Sequence, residues 1–96
     1  MKVSPDKFDE FEIYKYVRFA DGDVRFCHNP TEHRQLCEES DKFPPVSAGI
    51  IAVTKKTWYI WDRGSTTLRL HSLNDDEEAI GKVLEPFGYR YKDRER

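Results

Sequence analysis

The stretch Ser47 to Ser72, SAGIIAVTKKTWYIWDRGSTTLRLHS, constrains this chain more than any other part of it. Ile50 to Thr54 and Thr57 to Trp61 are rich in β-branched and aromatic residues and are separated only by Lys55-Lys56. A third run, Thr66 to His71, follows the break Asp62-Arg63-Gly64-Ser65. Runs of this kind bounded by turn residues predict a meander of three antiparallel strands. Alternation places Trp58 and Ile60 on one face and Tyr59 and Trp61 on the other, and sets Leu68 and Leu70 opposite Thr67, Arg69 and His71. A sheet with one dry face needs a cover, which only helices from elsewhere in the chain can supply.

Before the meander, Phe11, Ile13, Val17 and Phe19 fall on one face of an extended run and Glu12, Tyr14, Tyr16 and Arg18 on the other. Lys15 stands in the middle of the apolar face, where its stem packs and its ammonium either reaches solvent or meets an anion. Asp21-Gly22 is a hairpin turn signal that returns Val24 to His28 as a partner strand. Asn29, Pro30 and Glu32 form a helix start, and the helix Pro30 to Glu39 carries His33, Leu36 and Cys37 on one side. A second helix starts at the cap Asn74 with Glu77 as its reciprocal acceptor. Its stripe is Ala79, Ile80, Val83, Leu84 and Phe87, it stops at Pro86 and Gly88, and Tyr89 to Lys92 makes a last strand. The predicted class is α+β, a mostly antiparallel sheet with two helices packed on one face, in the order β-β-α-β-β-β-α-β.

A chain of 96 residues with 38% hydrophobic content supports one modest core. Residues 1–10 read as a flexible lead-in, 11–92 as a single α+β domain and 93–96 as a polar tail. The formal charge of −2 comes from 18 acidic and 16 basic residues that are interspersed, so no extended field draws the chain to DNA or to anionic membrane. With no apolar run long enough to span a bilayer and no basic leader, the expected setting is soluble and cytoplasmic. Cys27 and Cys37 read as reduced thiols, and no cofactor is implied.

Four constellations could carry chemistry. Arg63, Gly64, Ser65, Thr66, Thr67 and Arg69 combine a glycine turn, hydroxyls and two guanidinium groups, a composition suited to cradling phosphate. His33, just past a helix start, sits in a dipole that disfavours imidazolium and leaves a neutral ring able to act as base or nucleophile. Cys27, His28, His33 and Cys37 offer metal donors, but Cys27 and His28 point to opposite sides of a strand, so no metal site is assigned. Tyr14, Tyr16, Tyr59 and Trp61 together suggest an aromatic sheet face that a second copy of the chain could cover.

In order along the chain, YKYV (Tyr14 to Val17, with Lys15 on the inner face), Glu32-His33 at the first helix, AGII (Ala48 to Ile51) and WYIW running into Gly64-Ser65 resemble the Janus/Ocnus family. Its best-known members are protein-histidine phosphatases. The resemblance implies a phosphate held by the Gly-Ser turn, Lys15 beside it, and His33 as catalytic base or nucleophile. Where the family carries a second glycine after the serine, this chain has Leu68-Arg69. Two functions are therefore expected. One is a small binding or regulatory domain that self-associates through its aromatic face; the other is a Janus-like phosphohistidine phosphatase or phosphate-binding domain acting on a phosphate or phosphoprotein ligand.

Overall fold

The computed structural model describes residues 2–40, 44–62, 64–65 and 70–92. In chain order the strands are β1 (Lys2–Val3), β2 (Glu12–Phe19), β3 (Val24–His28), β4 (Pro45–Thr54), β5 (Thr57–Asp62), β6 (Gly64–Ser65), β7 (Leu70–His71) and β8 (Arg90–Tyr91), with helices α1 (His33–Ser40) between β3 and β4 and α2 (Asp76–Leu84) between β7 and β8. Six strands form one sheet in the order β1-β3-β2-β4-β5-β8, antiparallel except at β5–β8, while β6 and β7 pair in a separate short ribbon. The α+β class read from the sequence holds. Most of the third meander strand, Thr66 to Arg69, lies outside the described residues, as does the tail 93–96.

The faces are distributed differently from the sequence reading. Tyr14 and Tyr16 of β2 form a core with Phe26, Ile51, Val53, Trp58 and Ile60, and α2 adds Ile80 and Leu84 to it. Val17, Phe19, Cys27 and Ala48 form a second core, capped by Leu36 of α1. The two helices therefore take opposite faces instead of sharing one. Period-two alternation says which residues share a face but not which face is covered. A tyrosine can lie inside once its hydroxyl finds a partner. Tyr14 Oη accepts from the Asp9 amide at 2.7 Å and Tyr16 Oη donates to Asp76 Oδ2 at 2.6 Å.

The aromatic face expected from Tyr14, Tyr16, Tyr59 and Trp61 consequently does not form. Tyr14 and Tyr16 are buried in the α2-side core, while Tyr59 pairs with Ala52 on the reverse face. Trp61 is the extra residue of a bulge, because Ile51 pairs with Ile60 and Ile50 with Asp62; it is 43% exposed. Phe11, assigned to the apolar face, instead precedes β2 with φ of 56° and is 67% exposed.

The helix starts also shift. The Thr31 amide donates to the His28 carbonyl at 2.9 Å, so Asn29 and Pro30 make a turn and α1 begins only at His33. At α2 the cap position is Asp75, not Asn74. The first ten residues contribute an edge strand, Lys2 pairing with Cys27, and Phe8 stacks on Tyr14 with ring centroids 4.2 Å apart. Among the described residues, no helix is long and apolar enough to cross a membrane.

What ties α2 to the sheet is a carboxylate. Asp76 is 0% exposed. Its Oδ1 accepts from Ser47 Oγ at 2.7 Å and an Arg18 guanidinium nitrogen at 3.1 Å, and its Oδ2 accepts from Tyr16 Oη at 2.6 Å and the Leu73 amide at 3.1 Å. An ionised carboxylate offers about four acceptor positions, and all are used. Arg18 also forks onto Asp75 at 2.7 and 3.1 Å, and that guanidinium holds the Asp75 carboxyl below its usual range. Removing one member of a buried, hydrogen-bonded ion pair costs on the order of 3–5 kcal/mol, because the remaining donors are left without an acceptor. Denaturant unfolding of Asp76→Ala should show a loss of this size, and a loss below about 1 kcal/mol would mean that the network is not what holds α2 down.

Candidate functional site

His33 is the first residue of α1 and, although it opens a surface helix, is only 4% exposed. Its ring reaches across to β4, where Nε2 lies 2.8 Å from the Gly49 carbonyl oxygen. A carbonyl can only accept, so Nε2 carries the proton and Nδ1 keeps the lone pair. The partner thus selects the tautomer. Burial is the largest influence on the ring and lowers its pKa. The Gly49 bond opposes that shift, the charge of Lys15 adds to it, and Asp62 works against it. The sequence argument for a neutral imidazole invoked the helix dipole; in the structure the dominant cause is desolvation.

Gly49 can occupy this place in β4 only because it has no side chain. A Cβ there would lie 2.5 Å from the Asp62 carbonyl oxygen and 2.8 Å from both Ser72 Oγ and Tyr16 Cε2. Two of these obstacles are a strand backbone and a packed ring, which cannot swing aside cheaply. The bulge in β5 sets Asp62 opposite Ile50, one residue beyond Gly49. Ile50 in turn faces Lys15 across the β2–β4 ladder. Lys15 alternates with Tyr14 and Tyr16 and shares the face of Val17 and Phe19, the side covered by α1. It is half-buried there, and its charge is felt by the His33 ring.

The structure therefore brings Lys15 and His33 to one region. Gly64 and Ser65 pair with His71 and Leu70, and this ribbon packs against β4, the strand that carries Gly49. At Gly64 a Cβ would meet only the Leu70 carbonyl at 3.5 Å and His71 Nδ1 at 3.6 Å, ordinary contacts, so crowding does not demand glycine there. Arg63, Thr66, Thr67 and Arg69 lie outside the described residues.

Sequence reasoning did not single out Gly49 or Asp62 as partners of His33. A glycine in the interior of an apolar strand is a usable signal of close backbone approach, and Gly49 fits it. Nothing local announced Asp62, whose placement depends on the bulge. Among the described residues, no cluster of three or more His, Cys, Asp or Glu side chains is placed to hold a metal ion. Cys27 Sγ is directed at the Thr31 carbonyl at 3.9 Å and His28 is exposed.

Comparison with protein-family models, with curated proteins and with solved structures gives no match to this chain.

The buried neutral ring has a consequence for stability. The unfolded chain takes up a proton on His33 at its ordinary imidazole pKa, whereas the folded chain does so only at lower pH. Between those two values the unfolded state binds more protons, so stability falls as pH falls. The contribution is fully present above the ordinary value and is lost as pH drops through that window. Urea unfolding of wild type and His33→Gln from neutral pH down to about pH 5 should show a steeper decline for wild type; parallel curves would show that the ring is not held neutral by the fold.

Proposed function

We propose that this chain binds phosphoryl groups and acts as a Janus-like phosphohistidine phosphatase. The observation that carries the reading is the His33 ring, pinned through Nε2 to the Gly49 carbonyl with its free lone pair on Nδ1 and the cation of Lys15 acting on it. A neutral imidazole in a fixed tautomer suits general-base or nucleophilic work, and an adjacent ammonium suits the anion on which that work is done.

In the general-base form, His33 Nδ1 takes a proton from water as the water oxygen bonds to phosphorus. The P–N bond to the substrate imidazole breaks, and that nitrogen leaves with the bonding electron pair and is protonated from solvent. In the nucleophilic form, Nδ1 bonds to phosphorus as the substrate P–N bond breaks and its imidazole leaves with the electron pair; water then attacks the phosphorus, and the His33–phosphorus bond breaks with its pair returning to Nδ1. Lys15 is the partner of the phosphoryl oxygens in both, with the Gly64–Ser65 segment as the rest of the cradle.

A second reading, binding of phosphate or a phosphoprotein without turnover, is favoured by Asp62. Its negative charge raises the proton affinity of the ring, which favours an imidazolium that holds an anion over a neutral base that attacks it. Self-association through an aromatic face has less support, because Tyr14 and Tyr16 are inside the fold.

The test is hydrolysis of a phosphohistidine-containing peptide followed by phosphorus NMR. Wild type should release inorganic phosphate, His33→Ala should lose roughly 10²- to 10⁴-fold in rate, and Lys15→Met should be impaired chiefly in KM. Binding of the peptide without release of phosphate would select the second reading, and absence of both binding and release would remove both.

A further inference from the structure

The His33 tautomer depends on where the Gly49 carbonyl is held, and β4 is gripped at that point from the α2 side of the sheet. Ser47, two residues before Gly49, is fully buried and donates to Asp76 Oδ1 at 2.7 Å. Ser72 Oγ stands 2.6 Å from Tyr16 Oη and 3.2 Å from the carbonyl of Ala48, the residue next to Gly49. Tyr16 and Ser72 also occupy the space into which a Cβ on Gly49 would project.

The proton order in this chain is determined by its end. Asp76 offers acceptors only, so the single Tyr16 hydroxyl proton goes to Oδ2, and the single Ser72 proton is shared in a three-centre bond between Tyr16 Oη and the Ala48 carbonyl. The carboxylate is fixed in turn by Arg18 and by the Leu73 amide. A rigid anchor on one face of the sheet is thus linked through two hydroxyls to the backbone that holds a catalytic candidate on the other face.

We infer that Asp76, Tyr16 and Ser72 are positioning residues for His33. They hold the Ala48–Gly49 segment so that the Gly49 carbonyl stays on Nε2 and the lone pair stays on Nδ1. The functional meaning of this device rests on the proposed role of His33, but its physical content does not. Ser72 directly follows β7, so the same bonds also root the β6–β7 ribbon that carries Gly64 and Ser65.

The test is a long-range proton–nitrogen correlation spectrum of protein labelled with ¹⁵N histidine, which reports the tautomer of each ring without any substrate. Wild type should give one protonated Nε2 and one unprotonated Nδ1 for His33. In Ser72→Ala, and to a lesser extent in Tyr16→Phe, which keeps its ring, the two nitrogen shifts should move toward one another as the second tautomer becomes populated. Thr57→Val serves as the control, since it removes the 2.8 Å bond from Thr57 Oγ1 to the Thr54 carbonyl in the β4–β5 turn, outside this chain of bonds; it should leave His33 unchanged. If Ser72→Ala does not fold, Tyr16→Phe carries the comparison alone. Folded Ser72→Ala and Tyr16→Phe proteins with a wild-type tautomer would overturn the inference, and so would an equal shift in Thr57→Val. A protein that shows the expected tautomer shifts yet neither binds nor hydrolyses phosphohistidine leaves the positioning intact and removes the phosphatase reading.

Discussion

A carboxyl group with no exposure to water has to have its oxygens bonded, because an unpaired buried polar group is costly, and Asp76 meets that condition with four donors from three separate parts of the chain. Two come from β2 side chains, one from a β4 side chain and one from the backbone just before α2. The arrangement is directional in a way that apolar packing is not. The apolar contacts of Ile80 and Leu84 in the α2-side core carry no directional bond, whereas the α2 terminus can satisfy Asp76 only in one position. Hydrophobic burial supplies most of the stabilisation of the two cores, and Asp76 sets the register between helix and sheet.

The candidate site is built on the opposite face from the same strands. β2 provides Tyr16 and Arg18 to one side and Lys15 to the other, and β4 provides Ser47 to the Asp76 network and the Gly49 carbonyl to His33. Two-sided strands of this kind let a rigid polar cluster support a reactive one without occupying it. The chemistry available to His33 follows from three local facts: burial that keeps the ring neutral, a carbonyl that fixes the tautomer, and a lysine that contributes positive charge. Asp62 moderates the last of these.

Much of the fold was legible because its signals are local. The Asp21-Gly22 hairpin, the Lys55-Lys56 turn and the stripe of Ile80 and Leu84 each depend on a few neighbouring residues. The side assignment of β2 was not legible. Whether Tyr14 and Tyr16 face in or out depends on Asp9 and Asp76, donors and acceptors 5 and 60 residues away along the chain. In the sequence Asp76 is one of several acids in the first turn of a helix, and no sequence pattern distinguishes a solvated carboxylate from a buried one. At the site, His33 and Lys15 were identifiable by residue type and position, whereas Gly49 and Asp62 gained their roles from strand pairing and a bulge.

The central functional claim is that an anion binds between Lys15 and His33. Crystals soaked in tungstate, whose shape matches phosphate and whose anomalous scattering locates it without ambiguity, test this most directly. The account predicts one tungstate in contact with the Lys15 ammonium and within reach of His33 Nδ1, reduced or absent in Lys15→Met crystals. Tungstate bound only at other surfaces, or unaffected by the loss of Lys15, would contradict it.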